Sequence, residues 1–220
     1  MGSTINLKTS DGKTISAYVA EPSGKPKGGI VVIQEIFGVN RHIRNVTDGF
    51  AAAGYRAVAP AMFDRVKPGV ELGYTGDDLA HGREIRSKLS WDDVMADLKA
   101  GVEEAKKAGK VGVVGYCFGG TVAWLAATRL GIPAVGYYGG GIAGFANEQP
   151  KAPVMLHFGE KDAHIPMTDV EKVRAAHPKV PIHVYKARHG FSSDERADFD
   201  KASHEAALKR TLAFFAEYVG

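Results

Sequence analysis

The chain has 220 residues, of which 45% are hydrophobic and 24% are charged, and its formal net charge is +3. This length is sufficient to bury a substantial core, and we predict a single domain over residues 1–220. The single cysteine excludes an internal disulfide, and the apolar runs are far shorter than the about 20 residues that span a membrane.

The N-terminus has no basic segment followed by an apolar core, so it predicts no signal peptide, and we expect a cytoplasmic protein. Basic residues are spread along the chain. Their densest cluster, Lys106, Lys107 and Lys110, lies at the end of a predicted helix, where cations complement the helix dipole. We therefore expect no nucleic-acid or membrane partner, and a monomer or small homo-oligomer.

Seven short apolar runs predict β-strands. These runs are Thr14–Ala20, Gly29–Gln34, Arg56–Ala59, Val111–Gly115, Ala134–Tyr138, Val154–Phe158 and Ile182–Lys186. Runs in the middle of the chain, such as GIVVIQ and VGVVG, do not alternate polar with apolar residues. Continuous apolar strands of this kind are typical of a parallel sheet that is covered on both faces.

Five helical patterns accompany these strands. Their signals are an apolar stripe from Ile43 to Ala53 with Gly54 as a stop, a cap at Ser90 and Asp93, a buried segment Phe118–Leu130, a Thr168-x-x-Glu171 capping box, and a C-terminal stripe through Phe215. Residues Val66–Leu89 have weaker periodicity and predict an irregular excursion with a short helix. The alternation of strands and helices predicts an α/β fold, with a mostly parallel central sheet of about seven to eight strands and helices on both faces.

Cys117 lies in the sequence G-Y-C-F-G, where a predicted strand meets a predicted helix. A sharp turn at this point requires small neighbours, and it raises one side chain above the end of the sheet. The start of the helix would also favour a thiolate. A buried structural cysteine and a phosphate-binding loop are the alternatives, but GYCFGGT lacks the Lys-Ser/Thr ending of a P-loop. The context favours a nucleophile.

A nucleophilic thiol requires a general base and an orienting acid. Asp162 follows the run PVMLHFG, and His189 follows PIHVYKA, so both come directly after predicted strands. Because the loops at the carboxyl edge of a parallel sheet lie together, these residues are candidates for the acid and the base. The order of nucleophile, acid and histidine is that of the α/β hydrolases.

Other residues compete for these two roles. His164 lies close to Asp162 in sequence and is the main rival base, whereas His157 and His183 lie within predicted strands and are interpreted as packing residues. The remaining histidines are predicted on helix or loop surfaces: His42, His81, His177 and His204. The rival acids are Glu160, Asp169 and Asp194.

With these residues identified, the chain resembles the dienelactone hydrolase (carboxymethylenebutenolidase) family, whose members are α/β hydrolases with a Cys–Asp–His triad. The segments that carry the resemblance are QEIFGVN at 34–40, AGYRAVAP at 53–60, GYCFGG at 115–120, AVGYYG at 134–139, GEKDAHIP at 159–166 and HGF at 189–191. These segments span nearly the whole chain. The resemblance implies the α/β-hydrolase fold and hydrolysis of a lactone or ester.

Carried over by position, the resemblance implies Cys117 as nucleophile, His189 as general base and acid, and Asp162 as orienting carboxylate. It also implies an oxyanion hole formed by the backbone N–H groups of Phe118 and Ile36. Such donors stabilise the developing alkoxide.

Glu35 matches a family glutamate that is implicated in control of the nucleophile's protonation. A carboxylate near the thiol would oppose the thiolate until substrate binds.

One departure from the family pattern bears on the substrate. Members that act on dienelactone bind its carboxylate with arginines, one of them four residues after the histidine, and Ser193 stands there in this chain. The candidate substitutes are Arg196, Arg188, Arg83 and Arg86. The residues predicted to line a substrate pocket bordered by the excursion are Phe37, Tyr74, Arg83, Trp91, Tyr138 and Phe191.

We therefore predict a hydrolase that cleaves a small lactone or an activated enol ester through the triad. The alternatives are a broad-specificity carboxylesterase or thioesterase and a non-catalytic ligand-binding protein of the same fold. We expect no cofactor and no metal, because Asp162 and His164 alone do not form a site and no HExxH or paired Cys/His pattern occurs.

Overall fold

The computed structural model describes residues 2–220 and has a mixed α/β fold with eight strands, which confirms the predicted fold class. The described residues form two compact units. The first extends to Val111 and includes Val219–Gly220, and the second is Gly112–Tyr218. The expectation that the chain is a single domain stays a prediction.

The first unit contains strands β1 (Ser3–Lys8), β2 (Thr14–Ala20), β3 (Gly29–Ile33) and β4 (Arg56–Pro60), in the order β1-β2-β4-β3. The first two pairings are antiparallel, and the β4–β3 pairing is parallel. Strand β1 is absent from the sequence prediction. It is an edge strand in which only Leu7 is buried, so it lacks the apolar run by which the other strands were recognised.

Three helices belong to the first unit: α1 (Arg41–Ala52), α2 (Gly76–Ser87) and α3 (Trp91–Ala105). The cap predicted at Ser90 and Asp93 is confirmed as a reciprocal capping box at the start of α3. The excursion holds a 12-residue helix, α2, which begins with a second capping box of Thr75 and Asp78. Its periodicity is weak because only two of its residues are buried, so sequence patterning underestimated its regularity.

The second unit contains strands β5 (Val111–Tyr116, except its first residue), β6 (Ala134–Tyr137), β7 (Val154–Gly159) and β8 (Ile182–Tyr185), in that order and all parallel. Every residue of the first three strands is buried, as the continuous apolar runs predict. Because the strands are parallel, their carboxyl ends meet at one edge, and the loops that follow them lie together.

The helices of the second unit are α4 (Phe118–Leu125), α5 (Met167–Ala176) and α6 (Lys201–Tyr218). Helix α4 is completely buried and continues into one π-helical turn, Ala126–Leu130, as the apolar segment predicts. The capping box predicted at Thr168 is wrong. Helix α5 begins at Met167, two residues before the start that a cap at Thr168 would give, with Pro166 at the N-cap position and no side-chain cap. Thr168 therefore lies inside the first turn of the helix, where it cannot serve as the N-cap.

The described residues include no helix that is both long and apolar enough to cross a membrane. The expectations of a cytoplasmic location, of no nucleic-acid or membrane partner, and of a monomer or small homo-oligomer stay predictions.

Candidate active site

Cys117 lies between β5 and α4, at the strand–helix turn that the sequence predicts. Its backbone has φ 55° and ψ −115°, a conformation that is strained for any residue with a side chain. The thiol is half-buried rather than enclosed in the core. The structural-cysteine alternative predicted a fully buried thiol, so this placement favours a reactive one.

The glycines around Cys117 allow the strand and the helix to approach each other closely. A Cβ atom on Gly115 would lie 1.8 Å from the backbone oxygen of Gly119, and one on Gly120 would lie 2.4 Å from that of Tyr137. Both separations are far below contact distance, so no side chain fits at either position. Glycine is therefore required at positions 115 and 120 by the packing of this turn.

Asp162 lies in the loop after β7, and its carboxylate is held by three donors. Oδ1 accepts hydrogen bonds from the backbone N–H groups of His164 (2.8 Å) and Ile165 (3.2 Å). Oδ2 lies 2.7 Å from Nδ1 of His189. The side chain of Asp162 is fully buried, so these bonds replace its hydration and fix its direction.

His189 follows β8 and joins Asp162 to Cys117. Its Nδ1–H donates to Asp162, and its side chain is also hydrogen-bonded to Cys117. Because Nδ1 is occupied by Asp162, Nε2 is the ring nitrogen that remains for the thiol. Burial by itself lowers the pKa of His189, but the two hydrogen bonds and the negative charges of its partners outweigh burial and hold this pKa above its usual value.

The second unit thus brings together all three residues that the sequence selects, Cys117, Asp162 and His189. Their assignment as catalytic residues stays a prediction. The rival base His164 lies beside them: its exposed ring is edge-on to that of His189, with centroids 5.2 Å apart.

The interpretation of His157 and His183 as packing residues is consistent with the structure. They stack on neighbouring strands with ring centroids 5.5 Å apart, and His157 hydrogen-bonds the Tyr185 hydroxyl at 2.9 Å. The surface placement predicted for His42 and His177 is wrong, because both are buried. His177 packs against Trp124 and hydrogen-bonds the backbone oxygen of Ala146, contacts that its position at the end of α5 did not reveal.

Tyr138 and Phe191, two predicted pocket residues of the second unit, are fully buried. The ring of Tyr138 contacts those of Phe191 and His189, with centroids 5.4 Å and 5.1 Å apart. The contact of Tyr138 with His189 could not be predicted, since nothing in the run GYYGGG indicates which ring faces the histidine.

In the first unit, Glu35 and Phe37 follow β3 and lie near Tyr74 of the excursion. The Tyr74 hydroxyl donates to Oε2 of Glu35 at 3.1 Å, and the rings of Phe37 and Tyr74 are 4.6 Å apart. Arg83 is exposed on α2. The ring of Trp91 stacks with the Arg86 guanidinium, whose Cζ lies 4.5 Å from the ring centroid. The predicted roles of these residues and of Ile36 stay predictions.

Replacing Glu35 by glutamine is expected to lower the pH at which Cys117 becomes alkylated, because the amide removes a negative charge that would oppose the thiolate. The measurement is the rate of iodoacetamide labelling against pH, and it reports one site because the chain has one cysteine. Glu71→Gln, on an exposed carboxylate elsewhere in the first unit, is the matched control. An unchanged profile for Glu35→Gln would reject a role for this carboxylate in protonation of the thiol.

Ser193, which occupies the position of the expected arginine, is fully buried. Two arginines of the second unit are candidate replacements for the carboxylate-binding arginine. Arg188 is exposed, and its Nη1 lies 3.7 Å from Oδ1 of Asp198. The Arg196 guanidinium packs against Gly190, next to His189. Within residues 2–220, no three or more His, Cys, Asp or Glu side chains converge in a way that would hold a metal ion.

Three comparisons with known proteins agree. A model of the dienelactone hydrolase family matches residues 15–219. A carboxymethylenebutenolidase of Pseudomonas putida is 33% identical over 227 residues, covering 96% of this chain and 95% of that protein, and a second from Cupriavidus pinatubonensis is 30% identical over 226 residues with the same coverage.

Among solved structures, a dienelactone hydrolase homologue from Klebsiella pneumoniae is 31% identical with a TM-score of 0.87, covering 99% of this chain and 100% of that one. The dienelactone hydrolase-like phosphotriesterase P91 from metagenomic libraries, at 19% identity and a TM-score of 0.77, shares the fold. The chain therefore belongs to the dienelactone hydrolase family of α/β hydrolases and is a hydrolase of ester or lactone bonds.

Proposed function

We propose that the protein hydrolyses a small lactone or an activated enol ester, with Cys117 as nucleophile, His189 as proton carrier and Asp162 as orienting acid. The observation that carries the proposal is the continuous hydrogen-bonded connection from the half-buried thiol through the imidazole to the buried carboxylate. A nucleophile, a base and an orienting group in this relation are the requirements of covalent acyl transfer.

In the acylation step, Sγ of Cys117 bonds to the carbonyl carbon of the substrate while His189 accepts the thiol proton. The carbonyl oxygen becomes an alkoxide, and the N-terminus of α4, which begins at Phe118, favours this negative charge. The bond from the carbonyl carbon to the ester or ring oxygen then breaks, and the imidazolium returns the proton to that oxygen. An acyl thioester remains on Cys117.

In the deacylation step, His189 accepts a proton from water as the water oxygen attacks the thioester carbon. The carbon–sulfur bond breaks, the acid is released, and the imidazolium returns its proton to Sγ. Asp162 stays ionised throughout, and its hydrogen bond holds the ring in the tautomer that leaves Nε2 facing the thiol. The contribution of the Ile36 N–H as a second oxyanion donor is carried over from the family resemblance.

An enol is the preferred leaving group in this mechanism. An enolate is less basic than an alkoxide, so it departs with less help from proton donation than the oxygen of an alkyl ester. A cysteine nucleophile, which forms a thioester of high energy, is therefore suited to enol lactones and other activated esters. This argument predicts slow turnover of simple alkyl esters.

A broad-specificity carboxylesterase or thioesterase is the second candidate function. It is favoured by one observation, that buried Ser193 stands where carboxylate-binding relatives are expected to have arginine. The non-catalytic alternative is set aside, because the family to which the chain belongs consists of hydrolases.

A matched substrate panel distinguishes the two candidates. It contains an enol lactone with a carboxylate, the same lactone as its methyl ester, p-nitrophenyl acetate and an acyl thioester, each assayed for kcat/KM. We expect both enol lactones to exceed the thioester by at least about 10-fold, a difference of roughly 1.4 kcal/mol in transition-state binding. Equal turnover of all four compounds would favour the broad esterase, and no turnover of any would reject both.

A further inference from the structure

Two aromatic rings, those of Tyr138 and His164, contact the His189 imidazole. The Tyr138 ring lies 5.1 Å from it between centroids, at an interplanar angle of 58°. The His164 ring lies 5.2 Å away and is almost perpendicular, at 87°. Tyr138 is fully buried and His164 is exposed, so the imidazole has one aromatic neighbour in the protein interior and another at the surface.

The backbone of Tyr138 is strained in a way that requires explanation. Apart from Cys117, Tyr138 is the only non-glycine residue among 2–220 with a positive φ, at 38°. Three glycines follow it directly, and none of them has a positive φ, although glycine adopts that conformation at little cost. A strained residue persists only where its surroundings fix it, and such residues cluster at functional sites.

The surroundings that fix Tyr138 are part of the same edge of the sheet. Its N–H donates to the backbone oxygen of His157 at 2.7 Å, and the preceding residue, Tyr137, accepts a hydrogen bond from the N–H of Cys117 at 3.0 Å. The chain is thus held in place immediately before and at the strained residue. Phe191, two residues after His189, also packs against the Tyr138 ring, with centroids 5.4 Å apart.

His164 is tied to the acid of the proposed triad. Its backbone N–H donates to Oδ1 of Asp162, whose Oδ2 binds His189. The ring of His164 and the carboxylate of Asp162 therefore belong to one short loop, and both contact the same imidazole. The hydrogen bonds to Asp162 and to Cys117 hold two atoms at the edge of that imidazole, but bonds at the edge alone still allow the ring plane to tilt about the line that joins them.

We propose that Tyr138 and His164 are positioning residues that clamp the His189 imidazole between an interior ring and a surface ring, so that Nε2 stays directed at Cys117. This inference rests on the proposed triad. Neither residue exchanges a proton or bonds to the substrate in this role. Restricting the tilt of the ring matters because small misplacements of a catalytic group reduce the rate strongly.

The test compares a ring-preserving with a ring-removing substitution at each position: Tyr138→Phe with Tyr138→Leu, and His164→Phe with His164→Leu. We expect each leucine variant to lose about 10-fold in kcat with KM little changed, and each phenylalanine variant to keep most of the activity, since misplacement acts on the chemical step. The pH profile of Cys117 alkylation should shift in the leucine variants only, because it reports the thiol–imidazole contact.

His164 keeps the test decisive if Tyr138→Leu fails to fold, because an exposed residue tolerates substitution. Equal activity of His164→Phe and His164→Leu, whether both high or both low, would overturn the clamp, as would a loss confined to KM. Cys117→Ala is assayed in parallel. If this variant retains activity, the proposed triad is rejected. If it is inactive but the phenylalanine and leucine variants have the same kcat, only the clamp is rejected.

Discussion

Replacing Cys117 by alanine is expected to lower kcat/KM for enol lactones and activated esters by on the order of 10⁴-fold or more, because the variant lacks the sulfur that forms the proposed acyl intermediate. Alanine adopts the strained backbone at this turn no less readily than cysteine does, so the fold should survive. The assay is hydrolysis of an enol lactone and of p-nitrophenyl acetate, with thermal unfolding measured alongside.

Cys117→Ser is the informative companion to this variant. A serine hydroxyl has nearly the same size but ionises far less readily than a thiol, so we expect it to remain strongly impaired even with His189 in place. Electrospray mass spectrometry during turnover should detect an acyl adduct on the wild-type protein and none on Cys117→Ala. Retention of most activity by the alanine variant would reject the assignment of the nucleophile.

Replacing Asp162 by asparagine is expected to lower kcat roughly 10²–10⁴-fold, with a smaller effect on KM. An asparagine can present its amide N–H to Nδ1 of His189, which favours the tautomer with the proton on Nε2. That nitrogen then cannot accept the thiol proton. The geometry of the site is otherwise preserved, because the two side chains have the same shape.

The same substitution has a predicted effect on pH dependence. Asp162 helps to hold the pKa of His189 above its usual value, which makes the imidazole a stronger acceptor of the Cys117 proton. Losing the carboxylate charge lowers that pKa, and we expect alkylation of Cys117 to require higher pH. Glu160→Gln, the same chemical change on an exposed side chain two residues away, is the control. If both variants behave alike, Asp162 is not the orienting acid.

Much of the fold could be predicted because buried parallel strands are encoded in continuous apolar runs. The seven predicted strands lie within a residue or two of those observed, and only edge strand β1 was missed. Helix α5 was assigned a capping box that does not form, since Pro166 rather than Thr168 precedes it. Errors thus occur where solvent or a turn, rather than core burial, determines the local structure.

The residues of the candidate site likewise include some whose position could be predicted from the sequence and some whose position could not. Cys117, Asp162 and His189 could be selected from the sequence because each follows a recognisable strand, and the carboxyl ends of parallel strands meet at one edge. The burial of His42 and His177 could not be foreseen, because it depends on which distant residues pack against them.

By itself, the sequence determined which residues follow the ends of buried strands, since apolar runs and turn chemistry are local properties of the chain. Only the tertiary structure decided how His189 is held there: its 2.7 Å contact with Asp162, its bond to the thiol, and its two ring contacts. The strain at Tyr138 likewise arises from hydrogen bonds between neighbouring strands. These features depend on contacts between residues far apart in the chain, and a local pattern carries no information about such contacts.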